Sequence, residues 1–184
     1  MSETRKPFLI GSFLLGGLIL LVEKPIKLGD IVVTEAGFGA DLGAQKFFDI
    51  KCRLSGLRPK AAVLVATIRS LKMNGGVAKV DLGAENVEAL TRGAVNIQRY
   101  TENLRNYGLP VLVALNHFTS DTAAEVETVK RIVASMGAEA YVCRHWAEGG
   151  KGAEELAKAV IATLARKQDD FHVLYDDALP LMAK

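Results

Sequence analysis

From residue 29 onward, short apolar runs alternate with longer amphipathic stretches, and this alternation limits the possible folds more than any other feature of the sequence. The pattern is typical of repeated β-α units, which build a parallel sheet. Four strands are predicted, at residues 31–34, 62–66, 111–115 and 138–142. The first three are continuous apolar runs, as expected of strands covered on both faces. The fourth alternates between apolar and polar residues and is expected nearer an edge.

Amphipathic stretches predict the helices between these strands. Residues 85–107 place apolar side chains along one stripe, which predicts a single long helix facing the core. That helix is expected to end at Gly108, which Pro110 follows closely. Thr122 and Glu125 have the spacing of a capping box at the start of another helix. Two more helices are predicted at residues 43–54 and 154–166. The predicted fold class is therefore α/β, a mostly parallel sheet with flanking helices.

Residues 8–22 form an apolar segment without a charge. The segment is long for the core of a signal peptide and shorter than the roughly 20 residues that span a bilayer. A membrane anchor or export signal is one interpretation, and a buried hydrophobic segment is the other. No small-residue cleavage site follows, and a membrane partner is not expected. We place the predicted boundary after residue 28, with one domain over residues 29–184.

The charge balance and the cysteines exclude several classes of protein. The 23 Lys and Arg residues nearly balance the 21 Asp and Glu residues, which gives a net charge of +2. Such a chain lacks the concentrated basic surface that nucleic-acid binding needs, so a nucleic-acid partner is not expected. Cys52 and Cys143 have no metal-ligand spacing around them. They indicate buried, reduced thiols of a cytoplasmic protein rather than a zinc site or a disulfide framework.

Polar residues and glycines follow each predicted strand. They lie in residues 34–41, 67–76, 116–121 and 145–152. In an open parallel sheet, ligands bind outside the carboxyl ends of the strands, because the loops and the helix N-termini collect there. The sequence therefore predicts that four loops converge on one edge and form the binding site.

The loop after the first strand allows two interpretations. Gly37 and Gly39 let the backbone approach a ligand closely, and the carboxylates of Glu35 and Asp41 can hold Mg²⁺ through its waters. A tight strand-to-helix turn with Asp41 as the N-cap explains the same residues equally well. The spacing of Gly37, Gly39 and Gly43 is one residue too long for a dinucleotide-binding motif.

The other loops supply basic and aromatic candidates. Arg69 and Lys72 can neutralise a phosphate or carboxylate, or they are two solvated charges. Residues 149–152, GGKG, precede a predicted helix and suggest an anion cradle, although they lack P-loop spacing. Phe118 and Trp146 can stack on a planar ring, or they anchor their loops in the core.

Several segments resemble one family. Residues 65–76, VATIRSLKMNGG, are similar to the signature VAT[IV]RALKx[HN]GG of the formate–tetrahydrofolate ligases, and Ser70 in place of alanine is the one departure. Further similar segments, in the same order and spacing, are residues 34–46, 47–53, 116–118, 146–152 and 174–176. The resemblance covers an internal portion of the family sequence, from about residue 29 to about residue 180 of this chain.

The resemblance implies a reaction and its reactants. Family members couple ATP, formate and tetrahydrofolate: formate attacks the γ-phosphate to give formyl phosphate, and N10 of the folate then takes the formyl group. It also implies Mg²⁺ with ATP, a monovalent cation, and tetrahydrofolate as a substrate. Homo-oligomers are expected because the family forms them.

The residues of the four loops, together with the resemblance for the folate contacts, give the candidate site residues. The folate candidates are Phe38, Phe118, Thr119 and Trp146, with Thr119 standing where the family usually has proline. The nucleotide or phosphate candidates are Gly39, Asn116, Gly149, Gly150 and Lys151. The catalytic candidates are Arg69, Lys72 and Asp41, and the candidate metal ligands are Glu35 and Asp41.

Family enzymes are much longer, and their N-terminal part carries a glycine-rich P-loop and a further catalytic arginine. Neither occurs in this sequence, so we expect a portion of a P-loop NTPase-like domain that lacks the P-loop itself. We expect a truncated chain with little or no ligase activity alone. The alternatives are a non-catalytic folate- or nucleotide-binding module, and one subunit of a split ligase that a P-loop-bearing chain completes.

Overall fold

A five-stranded sheet organises the computed structural model, which describes residues 18–22, 31–166 and 170–184. The strands are β1 (Leu18–Val22), β2 (Val32–Ala36), β3 (Pro59–Ala66), β4 (Val111–Asn116) and β5 (Glu139–Cys143). Their order across the sheet is β2-β1-β3-β4-β5. β3, β4 and β5 are parallel, and β1 is antiparallel to both of its neighbours.

The strand directions bring the predicted loops to one edge. Because β1 runs opposite to both β2 and β3, those two strands point the same way. The carboxyl ends of β2, β3, β4 and β5 therefore lie at one edge of the sheet, and the α/β class with a mostly parallel sheet is confirmed. β1 itself was not predicted as a strand. It is the last part of the apolar segment 8–22, of which residues 8–17 lie outside the described residues.

The two edges of the sheet differ in how well the sequence predicts them. β5 is an edge strand, as its alternation predicts. β2 is the opposite edge, and the prediction that it is covered on both faces is wrong: Val33 is 50% exposed and Glu35 is also exposed. The apolar run at residues 31–34 does not reveal that one face of this strand has little cover.

Seven α-helices and several shorter turns connect the strands in the described ranges. The α-helices are α1 (Arg53–Ser55), α2 (Ile68–Asn74), α3 (Val87–Gly93), α4 (Val95–Arg105), α5 (Ala123–Ser135), α6 (His145–Glu148) and α7 (Glu154–Ala165). Two π-helical stretches, Ala40–Ala44 and Lys46–Cys52, precede α1. Helical structure thus starts three residues before the predicted 43–54. Its π form was not predicted, because the spacing of the buried residues in this segment also fits an α-helix.

The single long helix predicted at 85–107 is wrong, because α3 and α4 divide at Ala94. Gly93 explains the bend. A Cβ at this position would lie 1.9 Å from the Leu71 carbonyl oxygen, so α3 packs directly on the backbone of α2. The chain then turns before α4 begins. The apolar stripe continues through the turn, since Leu90 and Ile97 enter the same core, and periodicity alone cannot reveal such a break.

Alternate residues of the strands supply two cores, one on each face of the sheet. The larger core contains Leu64 and Val113 and is covered by helices that include α4 and α5. The smaller contains Val63, Ala114 and Val160, the last of these from α7. Within the described ranges, no helix has the length and apolar character needed to cross a membrane.

Candidate functional site

The loops after β4 and β5 are tied together at the carboxyl edge of the sheet. The His117 amide donates a hydrogen bond to the Cys143 carbonyl oxygen at 3.0 Å, which extends the pairing of the two strands by one step. Trp146 then reaches back, and its indole Nε1 donates to the His117 carbonyl oxygen at 3.2 Å. Trp146 is 55% exposed despite this anchor. The structure therefore places two predicted aromatic residues, Trp146 and Phe118, on adjoining loops.

The loop that carries Phe118 is fixed through Asp121. The Phe118 amide donates to Asp121 Oδ2 at 2.8 Å, and the Asp121 amide donates to the Phe118 carbonyl oxygen at 3.0 Å. Burial raises the pKa of the Asp121 carboxyl above its usual value, although the hydrogen bond from Phe118 opposes the shift. Thr119, the next residue, is exposed. The loop is therefore a closed turn that holds Phe118 at a defined position on the edge.

Arg69 lies against this loop from α2. Its guanidinium carbon is 4.6 Å from the centroid of the Phe118 ring, and Nη2 donates to Ser120 Oγ at 3.2 Å. Arg69 is exposed and Phe118 is partly buried. The structure thus brings together Arg69, Phe118 and Trp146, which the sequence placed on three different loops.

Phe38 stands farther along the same edge, in an unusual conformation. Its φ angle is +73°, a left-handed value that non-glycine residues rarely adopt, and the side chain is 69% exposed. The Lys46 ammonium lies 4.9 Å from the centre of the ring. Three strand spacings, about 14 Å, separate β2 from β4. Phe38 and Phe118 therefore occupy different parts of the edge, and strained backbone of this kind is concentrated at functional sites.

The turn around Phe38 is tight. A Cβ at Gly43 would lie 2.0 Å from the Gly37 carbonyl oxygen, so the helical stretch that starts at Ala40 packs on the turn itself. Gly39 is the N-cap residue, and its carbonyl oxygen accepts from the Gly43 amide at 2.7 Å. Asp41 lies in the first turn of the helix, so the sequence alternative that made it the N-cap is wrong.

Glu35 and Asp41 are both exposed at this end of the edge. Throughout the part of the chain that the structure describes, no group of three or more His, Cys, Asp or Glu side chains could hold a metal ion. Two exposed carboxylates can contact the water shell of a Mg²⁺ ion. They do not form a metal centre made by the protein alone.

Lys72 lies in the interior, and its side chain has no exposed surface. Its ammonium donates to Glu125 Oε1 at 2.8 Å and to the Ala84 carbonyl oxygen at 3.0 Å, and both charged side chains are fully buried. Glu125 also accepts hydrogen bonds from the Asn86 and Thr122 amides. Burial raises the pKa of Glu125, but these hydrogen bonds outweigh it and leave the pKa of that carboxyl below its usual value. Lys72 is therefore neither a solvated charge nor an exposed basic group of the edge.

The glycine-rich turn after α6 is open to solvent. Gly149, Gly150 and Lys151 are exposed, and a Cβ on either glycine would meet no atom within 4 Å. Gly152 differs, because a Cβ there would lie 2.5 Å from the Arg144 carbonyl carbon. The Arg144 amide donates to the Gly152 carbonyl oxygen at 2.9 Å. The turn is thus closed onto the end of β5 and leaves its first three residues available at the edge.

Asn116 ends β4 in the middle of the edge. It is 7% exposed, and its side-chain oxygen accepts no hydrogen bond from the described residues. Asp121 Oδ1, in the same loop, is likewise buried without a donor among those residues. Buried acceptors normally have a partner, so these two atoms mark a place where donors of a ligand or water are expected.

Sequence reasoning placed Glu125 in a capping box, but it missed the contacts of three residues that shape the site. They are Asp121, which closes the Phe118 loop; Ser120, which anchors Arg69; and Glu125, which pairs with Lys72. The spacing of Phe118 and Asp121, three residues apart before a helix, is the signal that could have indicated the closed turn. No local pattern connects Lys72 with Glu125, which lie on different helices.

Comparisons with known proteins identify similar sequences. A sequence model of the formate–tetrahydrofolate ligase family matches residues 19–184. The formate–tetrahydrofolate ligase of Allorhizobium ampelinum is 61% identical over 166 residues, which cover 90% of this chain. The ligases of Rhizobium rhizogenes and Paracoccus denitrificans are 60% and 59% identical over the same length. The chain spans about 30% of the length of these curated relatives.

Proposed function

The chain belongs to the formate–tetrahydrofolate ligase family, and we propose that it supplies the tetrahydrofolate-binding wall of that ligase reaction. The observation that carries the proposal is the aromatic pair at the carboxyl edge, in which the exposed Trp146 is hydrogen-bonded to the residue before the partly buried Phe118. Aromatic side chains of this kind stack on planar rings. The pterin of tetrahydrofolate is the planar group that the family's reaction requires.

Phe38 and Thr119 complete the proposed folate contacts. Phe38 offers an exposed ring at the end of β2, at a backbone conformation that costs energy and that packing of the turn maintains. Thr119 is exposed beside Phe118 and adds a hydroxyl to the wall. In this proposal Phe118 and Trp146 bind the pterin, and Phe38 contacts a part of the bound substrates farther along the edge.

We assign the nucleotide side to the polar groups of the same edge. Gly149, Gly150 and Lys151 present open backbone and an ammonium to phosphate. The side-chain oxygen of Asn116, which has no donor among the described residues, can accept from an N–H or O–H group of the nucleotide. Mg²⁺ would come with ATP and neutralise phosphate charge, with Glu35 and Asp41 near its water shell. A monovalent cation follows from the family alone. The Gly39 carbonyl oxygen accepts a hydrogen bond from the helix that follows. We therefore assign Gly39 a role in the shape of the turn and not a charged contact.

The proposed reaction is the ATP-dependent formylation of tetrahydrofolate, in which formate, ATP and tetrahydrofolate give 10-formyltetrahydrofolate, ADP and phosphate. Most of the catalysis in such chemistry is positioning and charge neutralisation. This sequence contains no P-loop motif. We therefore propose that the 184-residue polypeptide binds folate but does not turn over alone, and that a P-loop-bearing chain is its partner in catalysis.

Fluorescence titration tests this proposal, because Trp146 is the only tryptophan of the chain. Tetrahydrofolate is expected to change the emission of Trp146 in a saturable way, and Phe118→Ala is expected to weaken binding about tenfold through loss of one stacking face. Ile161→Ala, an exposed position on α7, serves as the control and should bind as the parent does. Formation of 10-formyltetrahydrofolate is followed in the same samples with Mg²⁺-ATP and formate.

The outcomes separate the alternatives. Folate binding without turnover supports the proposal. Sustained turnover by the pure chain would overturn the statement that a P-loop-bearing partner is needed. No saturable emission change, together with no heat of binding in calorimetry, would overturn the assignment of the aromatic wall.

A further inference from the structure

Arg69 contacts the Phe118 ring from a rigid position. It is the second residue of α2, whose first turn is capped by Thr67: the Ser70 amide donates to Thr67 Oγ1 at 3.0 Å. From there the guanidinium lies over the ring at 4.6 Å, and Nη2 is held by Ser120 Oγ at 3.2 Å. The cation is therefore fixed at both ends, by its own helix and by the loop it touches.

The Phe118 loop has two independent supports. Asp121 fixes the backbone of Phe118 through the amide and the carbonyl, as described above. Both of these hydrogen bonds are made to the backbone of Phe118, and neither contacts the ring. Arg69 contacts the ring itself, and cation–π contacts of this kind select one orientation. Backbone and ring are thus positioned by different residues.

We propose that Arg69 is the positioning residue of the Phe118 ring, covering one of its faces so that a planar ligand stacks only on the other. The inference depends on the proposed folate-binding wall, since the ligand in question is the pterin. It assigns Arg69 no contact with phosphate or with the reacting atoms. In this proposal the ring of the ligand contacts the face of Phe118 opposite Arg69 and the exposed indole of Trp146.

A direct contact between Arg69 and an anionic part of the ligand is the competing explanation. Tetrahydrofolate carries a glutamate tail, and an exposed arginine can bind its carboxylates. The two explanations differ for a ligand that has the ring but lacks the tail. Replacing a positioning residue changes the affinity for both ligands alike. Replacing a carboxylate-binding residue changes only the affinity for tetrahydrofolate.

The experiment therefore uses two ligands and matched variants of the full chain. Tetrahydrofolate and 6-methyltetrahydropterin are titrated calorimetrically under anaerobic, reducing conditions against the parent, Arg69→Gln and Arg69→Lys. Both variants are expected to bind each of the two ligands more weakly than the parent does, by a similar factor of about tenfold. Ser120→Ala, which releases the guanidinium from its anchor, should weaken both ligands by less. Arg99→Gln removes an exposed arginine of α4 and should change neither affinity.

A second readout needs no ligand. In protein with labelled phenylalanine, Arg69→Gln is expected to shift the Phe118 ring resonances while the thermal midpoint stays close to that of the parent, because Arg69 is exposed. Unshifted ring resonances, unchanged affinities, or weakening of tetrahydrofolate alone would each overturn the positioning role. A parent that binds neither ligand, with ring resonances that still respond to Arg69→Gln, would overturn the folate-binding wall and leave the positioning of the ring standing.

Discussion

Lys72 and Glu125 place two opposite charges in the interior with no exposed surface on either side chain. Removing such charges from water costs several kcal/mol each, and their attraction offsets this only when the remaining hydrogen-bonding groups are also satisfied. Here the Ala84 carbonyl and the amides of Asn86 and Thr122 supply those bonds. The pair connects α2, the start of α3 and the first turn of α5, which directly follows the Phe118 loop.

A double-mutant cycle tests this ion pair. Lys72→Met and Glu125→Gln each leave one buried charge without its partner, so each should lower the free energy of unfolding by about 3–5 kcal/mol. The double variant should lose clearly less than the sum of the two single losses, since it removes both charges. Urea denaturation measures all four proteins. Additive losses would show that the two side chains act independently.

Phe38 allows a test of backbone strain with two substitutions that remove the same ring. At φ +73° a residue with a Cβ is strained and glycine is not. The free energy of unfolding of Phe38→Gly should therefore be about 1 kcal/mol larger than that of Phe38→Ala. Both variants should lose the same folate contact. Equal stabilities in thermal and urea denaturation would mean that the turn relaxes to an ordinary conformation once the ring is gone.

Glycines allow the backbones of α2 and α3 to approach closely. A Cβ at Gly75 would lie 1.8 Å from the Ala89 carbonyl oxygen, and one at Gly93 would lie 1.9 Å from the Leu71 carbonyl oxygen. Backbone groups cannot move aside as the end of a side chain can. The two short helices therefore approach at a distance that only glycine permits.

Gly93→Ala tests this close approach. Alanine favours a helix by about 1 kcal/mol over glycine, but the new methyl group has no space, and we expect a net loss of about 1–3 kcal/mol from overpacking. Gly83→Ala is the matched control, because a Cβ there meets no atom within 4 Å. Denaturation curves of both variants give the comparison. A Gly93→Ala protein as stable as the parent would show that α3 can shift away from α2 at little cost.

The elements differ in how far the sequence alone predicts them. The strands β3 and β4 follow from apolar runs, and β5 follows from an alternating pattern. The start of α5 follows from the Thr122–Glu125 capping box, which the structure confirms. The break at Ala94 was missed because it depends on the contact between α2 and α3, which are separated along the sequence. β1 was missed for a similar reason: an apolar run becomes a strand only through its pairing with β2 and β3.

The convergence of four loops on one edge was predictable from the sequence, whereas the side-chain geometry at that edge was less so. Strand order and direction bring four loops to one edge, and the family that the motifs predict is confirmed by the comparisons. The motifs do not distinguish Arg69 from Lys72, which lie one turn apart on α2. One is exposed against Phe118, and the other is buried on Glu125. That difference depends on which face of α2 packs inward, and a short helix of seven residues gives too little periodicity to decide it.

At the scale of the whole molecule, the sheet separates two cores of unequal size, and each contains one cysteine. Cys52 belongs to the larger core and Cys143 to the smaller, where α7 contributes Val160. Burial raises the pKa of the Cys52 thiol to about 12 and that of Cys143 to about 11. Both thiols are therefore protonated at neutral pH and inaccessible in the native state, so reaction with a thiol reagent requires the protein to open.

The two thiols are expected to react at different rates, because the smaller core can open without the larger. Detaching α7 exposes few buried side chains and costs less than global unfolding. Cys143, measured in Cys52→Ser, should react about tenfold or more faster than Cys52, measured in Cys143→Ser. The reaction rate of Cys143 should depend weakly on urea concentration. The reaction rate of Cys52 should depend on urea as strongly as global unfolding does, because this dependence scales with the surface exposed. Val160→Ala should accelerate Cys143 selectively. Equal rates with equal urea dependence would instead mean that both faces of the sheet unfold as one cooperative unit.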